Sequence, residues 1–204
     1  AALGAAVRHL IVCGGVLTPG LAGDRLRGAL EEADAYLAQL ASELPVDVLP
    51  GRCDPTNLAL PQMPLNLRLF QRAKRCGGFC LVSNPYECCV EQRLRVLGHA
   101  GQPVKDLLRC TGLASPLEAL KVSLEARHLA PTAPDTLVSQ PFAEGDPFLI
   151  DAVPDVLFSG GHEEASHAWL QPREGTQGTL GVCVPDLGRS PTVVLVSLRE
   201  PRDV

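Results

Sequence analysis

No Cys-x-x-Cys pair occurs anywhere in this 204-residue chain, although it holds 8 cysteines. Without that spacing nothing seeds a zinc knuckle. The one cluster is Cys76 and Cys80 with Cys88-Cys89, while Cys13, Cys80 and Cys183 sit in apolar runs where a thiol packs as a small hydrophobe. Free thiols in a reducing compartment are expected, not a disulfide framework. The chain also has no apolar run long enough to cross a bilayer. Ala1 to Ala6 lead into a strand-like segment instead of a cleavage site, so no secretory leader and no membrane partner are expected. Clustered positive charge is missing too. The net charge is -5 and the pI about 5.5, which argues against a surface that grips nucleic acid by itself. Arg68, Arg72, Lys74 and Arg75 come nearest to a basic patch and read as a solvated face. There is no internal repeat and no low-complexity segment.

What is present suits one domain, since 204 residues at 46% hydrophobic can bury a single sizeable core. His9 to Cys13 is a short apolar run ending in Gly14-Gly15, the pattern of a strand buried on both faces. From Asp24 to Leu44, Leu26, Leu30, Leu37, Leu40 and Leu44, with Ala33 between them, draw one stripe down a helix. Val46 to Leu49 returns as a strand and closes a right-handed β-α-β unit. Ser115-Pro116-Leu117-Glu118 supplies an N-cap, a first-turn proline and a capping-box acid for a second helix. In it Leu117, Leu120 and Leu124 oppose Lys121 and Glu125. Strands are expected at Phe79–Ser83, Leu94–Leu97, Asp155–Ser159, Thr179–Val184 and Thr192–Leu198, the last three as an antiparallel run.

Beyond the second helix runs Arg127-His128-Leu129-Ala130-Pro131-Thr132-Ala133-Pro134-Asp135-Thr136. Pro131 and Pro134 fix their own backbones and push Ala130 and Ala133 towards extended geometry, so this is a rigid connector. Asp135 and Thr136 are placed to bond back to nearby backbone. The wording of this segment resembles the small (B) subunits of eukaryotic DNA polymerase delta. Val46 to Asn57, containing Pro50, Gly51, Asp54 and Asn57, resembles the same family, as does Leu60 to Leu65. So do Val82 to Tyr86 with Asn84 and Pro85, Leu97 to Gln102, Asp146 to Phe148 and Val184 to Asp186. The matches keep their order from about Val7 to Leu198 and favour the delta small subunits over those of the other replicative polymerases.

The resemblance implies an α/β fold of calcineurin-like metallophosphoesterase type, two facing mixed sheets flanked by helices. It also implies that residues 1–204 form a partial domain of that type, without the family's upstream oligonucleotide-binding-type domain or first strand. Active phosphoesterases of that fold hold two metals with Asp-x-His, Gly-Asp, Gly-Asn-His-Asp or Glu, and Gly-His-x-His motifs, since paired cations need bridging carboxylates and imidazoles. No Asp-x-His occurs in this chain. By the same resemblance Gly15 stands at a ligand aspartate, Arg52 and Cys53 at the asparagine and histidine before Asp54, and Gly161 and Glu163 at the two histidines. Asp54 reads as a turn residue before Pro55. His162, Glu163 and Glu164, with His167 beyond, are the residues that could hold one divalent ion, against the alternative of a solvated loop. His99 and His128 lack carboxylate neighbours in sequence and read as structural.

No cofactor and no catalytic residue is therefore expected. The expected role is a non-catalytic scaffold subunit in the nucleus, serving replication and repair. It would tether the polymerase catalytic chain's C-terminal region and other accessory subunits, and meet DNA only through the complex. A metal-dependent phosphodiesterase or 3′-5′ exonuclease of the same fold is the alternative from another class. An orphan interaction protein of that fold is a further one.

Overall fold

The computed structural model describes residues 7–143, 145–172 and 177–199. Two sheets form its middle. The first carries β1 (Leu10–Cys13), β2 (Val46–Leu49) and β3 (Phe79–Leu81) in that order, all parallel. The second carries β4 (Tyr86–Val90), β5 (Leu94–His99), β6 (Val156–His162), β7 (Ser166–Leu170) and β8 (Thr179–Pro185), ordered β4-β5-β6-β8-β7. Its three central strands are parallel and its two edge strands antiparallel to their neighbours. Helix α1 (Gly23–Glu43) joins β1 to β2, and α2 (Gln102–Cys110) and α3 (Pro116–Ala126) lie between β5 and β6.

Side-chain alternation sorts these elements into four layers, because successive residues of a strand point to opposite faces. Val46 and Val48 of β2 pack with Leu10, Val12 and the α1 residues Leu37 and Ala41. Leu49, Ile11 and Cys13 point the other way, onto Val96, Val156, Phe158 and Val182 of the second sheet. Beyond that sheet, Leu97, Leu157 and Cys183 meet Val104 and Leu107 of α2 and Leu120 and Leu124 of α3. The two sheets thus face one another and helices cover both outer faces. Polar groups enter the layer between them at Asp47, which accepts from the Tyr86 hydroxyl and bonds His9 Nε2 at 2.7 Å. Burial pushes its carboxyl up, but those bonds and the His9 charge outweigh burial and hold it below the usual carboxylate range.

Several expectations need correction. β1 is half-buried at a sheet edge, not enclosed on both faces. The first sheet is wholly parallel, not mixed. Leu40 is exposed, and the inward face of α1 carries Asp34, Leu37 and Ala41 instead. Asp34 is buried because its carboxylate accepts the backbone N–H of Arg72 and Ala73, capping the turn over Ala73–Arg75. β6 and β8 are parallel neighbours, so the strands expected at Asp155–Ser159 and Thr179–Val184 do not run antiparallel; the antiparallel partner of β8 is β7. Residues 192–198 carry no strand pairing; Val194, Val196 and Leu198 pack on the inter-sheet layer while Val193 and Leu195 are exposed. Alternation arose there from one-sided packing without a ladder. Cys80 is exposed, unlike Cys183. All eight cysteines are free.

The second helix starts as its capping residues dictate, with Ser115 Oγ accepting from Glu118 N at 3.2 Å. Ala119, Leu120 and Leu124 are buried, and Lys121 and Glu125 pair on the outer face. Arg127 ends it in the left-handed conformation at φ 56 and ties down the 150–151 segment through Ile150 O and Asp151 O. His128 has a carboxylate partner that sequence distance hides: its Nε2 lies 2.9 Å from Asp146 Oδ2 while its Nδ1 accepts from Ala130 N. Residues 131–136 form consecutive turns, so the connector is wound, not extended. Thr136 N–H donates to Thr132 O and its hydroxyl to buried Asp106, which fastens the connector to α2.

Candidate functional site

All six parallel strands deliver their C-terminal ends to one corner of the molecule, where open α/β sheets place their ligand sites. The chain there is unusually close-packed. β1 exits through Gly14 and Gly15, both at positive φ. A Cβ on Gly14 would stand 2.7 Å from Gly51 Cα and 2.8 Å from Ala100 Cβ. One on Gly51 would stand 2.6 Å from Gly15 N, and one on Gly160 would stand 2.5 Å from Cys13 O. Glycine is required at these positions because backbone meets backbone, leaving no room for any side chain. Two surface grooves lie elsewhere, along Ser166–His167 with Val193–Leu195, and between Pro134, Phe142 and Phe148.

Asp54 is the centre of this packing. Its carboxylate, 3% exposed, accepts Gly51 N at 2.7 Å, Gly15 N at 2.9 Å, Leu17 N at 3.0 Å and Val16 N at 3.3 Å. Both oxygens are thereby committed to backbone donors of the β1 and β2 exits. Asp54 turns the chain before Pro55, with Thr56 N donating to its carbonyl, and also clamps two loops together. Arg52 and Cys53 point outward and are exposed.

The other singled-out residues are dispersed. His162 is buried at the end of β6, with Nε2 2.7 Å from Ser159 Oγ, whereas Glu163 and Glu164 are exposed on the next turn and His167 on β7. Among the described residues no three His, Cys, Asp or Glu side chains are grouped so as to hold a metal ion. The donor set of a two-metal site therefore does not fit this corner: its one buried carboxylate is saturated by amides, and an arginine follows Gly51.

Neutral polar side chains organise the rest. Asn57 binds Ala59 O and Pro61 O through Nδ2 and accepts Met63 N at 2.7 Å, shaping the loop after Thr56. Asn84, following β3 and preceding Pro85, accepts Ala100 N and donates to Gln62 Oε1 and Gln102 Oε1. Gln102 Nε2 also donates to Gln62 Oε1, and Gln62 Nε2 reaches Gly51 O and Asn57 O. These three amides join the loops after β2, β3 and β5. Sequence reasoning left Gln62 and Gln102 unassigned, since the pattern that marks them is spatial.

It also undervalued His99 and Lys105. His99 is fully buried at the end of β5, its Nδ1 accepting from Gly101 N at 3.0 Å. Burial, with repulsion from His162 second, pulls it down to about 3. Burial and then Lys105 pull His162 down to about 4. Lys105, four residues on from Gly101 in α2, extends over Gly161, whose Cβ would lie 3.2 Å from Nζ. Burial lowers the Lys105 ammonium; Asp186 raises it, and Arg189 and Arg52 lower it further.

A sequence profile of the B-subunit family of DNA polymerases alpha and epsilon matches residues 6–167. The chain is 42% identical over 170 residues to the DNA polymerase delta subunit 2 of Drosophila melanogaster, covering 83% of this chain and 39% of that protein. It is 37% identical over 175 residues to the DNA polymerase delta small subunit of Oryza sativa subsp. japonica, covering 86% and 40%. With the small subunit of Arabidopsis thaliana it shares 38% over 170 residues, covering 83% and 38%. The chain thus spans about two fifths of the length of these relatives. It belongs to the alpha/epsilon B-subunit family of DNA polymerases, and within that family it is similar to the delta small subunits.

Proposed function

We propose that this chain is part of a non-catalytic accessory subunit of DNA polymerase delta, acting in the nucleus in replication and repair. The observation that carries the reading is the similarity to delta small subunits along more than four fifths of the chain. Its fold is of calcineurin-like phosphoesterase type, a reading supported by two facing sheets between helical layers and by the convergence of the parallel strand ends. In place of a metal centre stand Gly15, Arg52, Cys53, Gly161 and Glu163, with Asp54 turned to holding backbone amides. The rigid corner then serves as scaffold, holding the polymerase catalytic chain's C-terminal region and other accessory subunits, with DNA reached through the assembly.

Two measurements test this. Co-expression with the catalytic chain should give co-elution and a raised unfolding midpoint, because a partner that binds only the folded state stabilises it by mass action. Failure to associate overturns the accessory role. Independently, phosphodiester substrates with manganese, magnesium, zinc or iron should show no turnover above a heat-inactivated control; turnover lost in His162→Ala would reinstate an enzyme.

A further inference from the structure

We propose that the groove between Pro134, Ser139, Phe142 and Phe148 docks an extended segment of a partner protein. The segment pairs with the Ser139 backbone as an added strand, seats one bulky apolar side chain on the aromatic wall and sets a lysine or arginine against Asp146. The groove measures about 420 Å³, at the small end of the roughly 300–1,000 Å³ found for ligand clefts. That volume suits one large side chain with the backbone beside it. The backbone supplies the first observation. Residues 138–140 bridge Leu60 in parallel, with Leu60 N donating to Val138 O at 3.0 Å and Gln140 N to Leu60 O at 2.8 Å. Both bonds come from the residues flanking Ser139, so its own N–H and C=O point away from Leu60, along the free edge of the segment. Neither has a partner among the described residues, and Ser139 lines the groove. A donor and an acceptor left open on one extended edge are what an added strand bonds to.

The lining selects the side chains. Phe142 is 40% exposed and stands edge-on to buried Phe148, ring centroids 5.8 Å apart at 83°. Phe148 is held in turn by the helix-side core and by the His128 ring at 5.8 Å. This wall is a fixed apolar surface, and little ordering is lost when a side chain packs on it. Charge sets the second requirement. Asp146 is the one acidic or basic side chain lining the groove besides His128. Because Ala130 N donates to His128 Nδ1, the neutral ring carries its proton on Nε2 and gives it to Asp146 Oδ2, which leaves the carboxylate charge uncancelled. Phe148 N donates to Asp146 Oδ1 at 2.9 Å and fixes the group in place, with 42% of its side chain exposed. An anion held beside an apolar wall complements a cation next to an apolar residue. A second copy of this chain meets a net charge of -5 with the same sign, and a nucleic acid would bring further negative charge, so both are disfavoured occupants. This goes beyond the accessory role and stands whether or not the chain assembles with a polymerase.

The test is selection of displayed random heptapeptides on the 204-residue chain, followed by calorimetry with the synthetic forms of the enriched sequences. Enriched peptides should join a bulky apolar residue to a nearby lysine or arginine. Phe142→Ala should weaken them by about tenfold or more, as loss of an aromatic anchor does. Asp146→Asn should abolish the preference for the basic residue over glutamine at that position, and Tyr36→Ala, on the exposed side of α1, should change nothing. All three residues are exposed, so the substitutions leave the core intact. Two readouts on the parent chain need no variant: bound peptide should slow hydrogen exchange at the Ser139 amide, and N-methylation of alternate peptide amides should abolish binding. No enriched sequence, enrichment without a basic residue, equal affinity in Phe142→Ala, or indifference to N-methylation overturns the proposal. So does sedimentation showing a dimer of the parent chain that Phe142→Ala dissolves, which would assign the groove to a second copy.

Discussion

The carboxylate of Asp54 receives the backbone amide of Gly15 at 2.9 Å across 39 residues of sequence. That contact joins the exits of two parallel strands, and with the amides of Val16, Leu17 and Gly51 it satisfies a corner of backbone that no helix or ladder pairs.

Replacing Asp54 should therefore be among the most damaging single changes in the chain. Asp54→Ala leaves buried donors unpaired and should cost about 3–5 kcal/mol in urea denaturation. Asp54→Asn should be almost as harmful, because its amide puts a donor against the remaining donors. A stability of Asp54→Asn equal to that of the parent chain would refute the clamp.

The glycine contacts predict a sharp contrast between two alanine substitutions. Gly51→Ala forces a Cβ to 2.6 Å from Gly15 N and should lower stability by about 1–3 kcal/mol, as overpacking does. Gly77→Ala meets nothing within 4 Å and should stay within about 0.5 kcal/mol of the parent. Equal midpoints for the two variants would contradict the close approach.

Asp34 should behave as a remote cap. Asp34→Ala removes the acceptor of Arg72 N and Ala73 N and should cost about 1–3 kcal/mol. Glu31→Ala, on the exposed face of the same helix, should cost about 0.5 kcal/mol or less. Chemical denaturation of both variants checks the difference.

Acid should weaken the fold through its buried imidazoles. His99 and His162 are pulled from 6.5 to about 3 and about 4 in the folded chain. Between those values and 6.5 the unfolded state binds more protons, so their contribution is complete above 6.5 and declines as pH falls. The slope approaches about 1.4 kcal/mol per pH unit for each histidine. Asp47, Asp106 and Asp146 are held below 3.8, so their contribution is lost only at more acidic pH. Urea midpoints between about pH 7 and about pH 5 should fall, and fall less steeply in His162→Gln; parallel profiles would exclude the histidine origin.

Local chemistry made much of the architecture legible. The α1 and α3 segments carry periodic leucines, Ser115 and Glu118 mark a helix start by direct bonds, and β2 is an unbroken buried strand. β4 and β7 were hidden because edge strands such as Tyr86–Val90 and Ser166–Leu170 mix inward apolar with outward polar residues and lack a long apolar run. α2 was hidden because Pro103 and Gly101 read as turn residues, though one occupies the first helical turn and the other the cap. For the site, the sequence offered only its departures from a metal-binding pattern, an expectation carried by resemblance. The partners of its residues were hidden: the carboxylates of Asp54 and Asp34 find backbone donors nearly forty residues away.

The Gln62, Asn84 and Gln102 triangle gives this corner a grammar of direction. An amide has a giving side and a receiving side, and Gln62 Oε1 receives from both companions while its nitrogen gives to Gly51 O and Asn57 O. A glutamate at 62 would match the volume yet turn a giver towards two carbonyls into a second receiver; a leucine would fill the space and say nothing to any neighbour. Three loops are thus kept in register by polarity, and a chain that changes one word of that exchange must rewrite its replies.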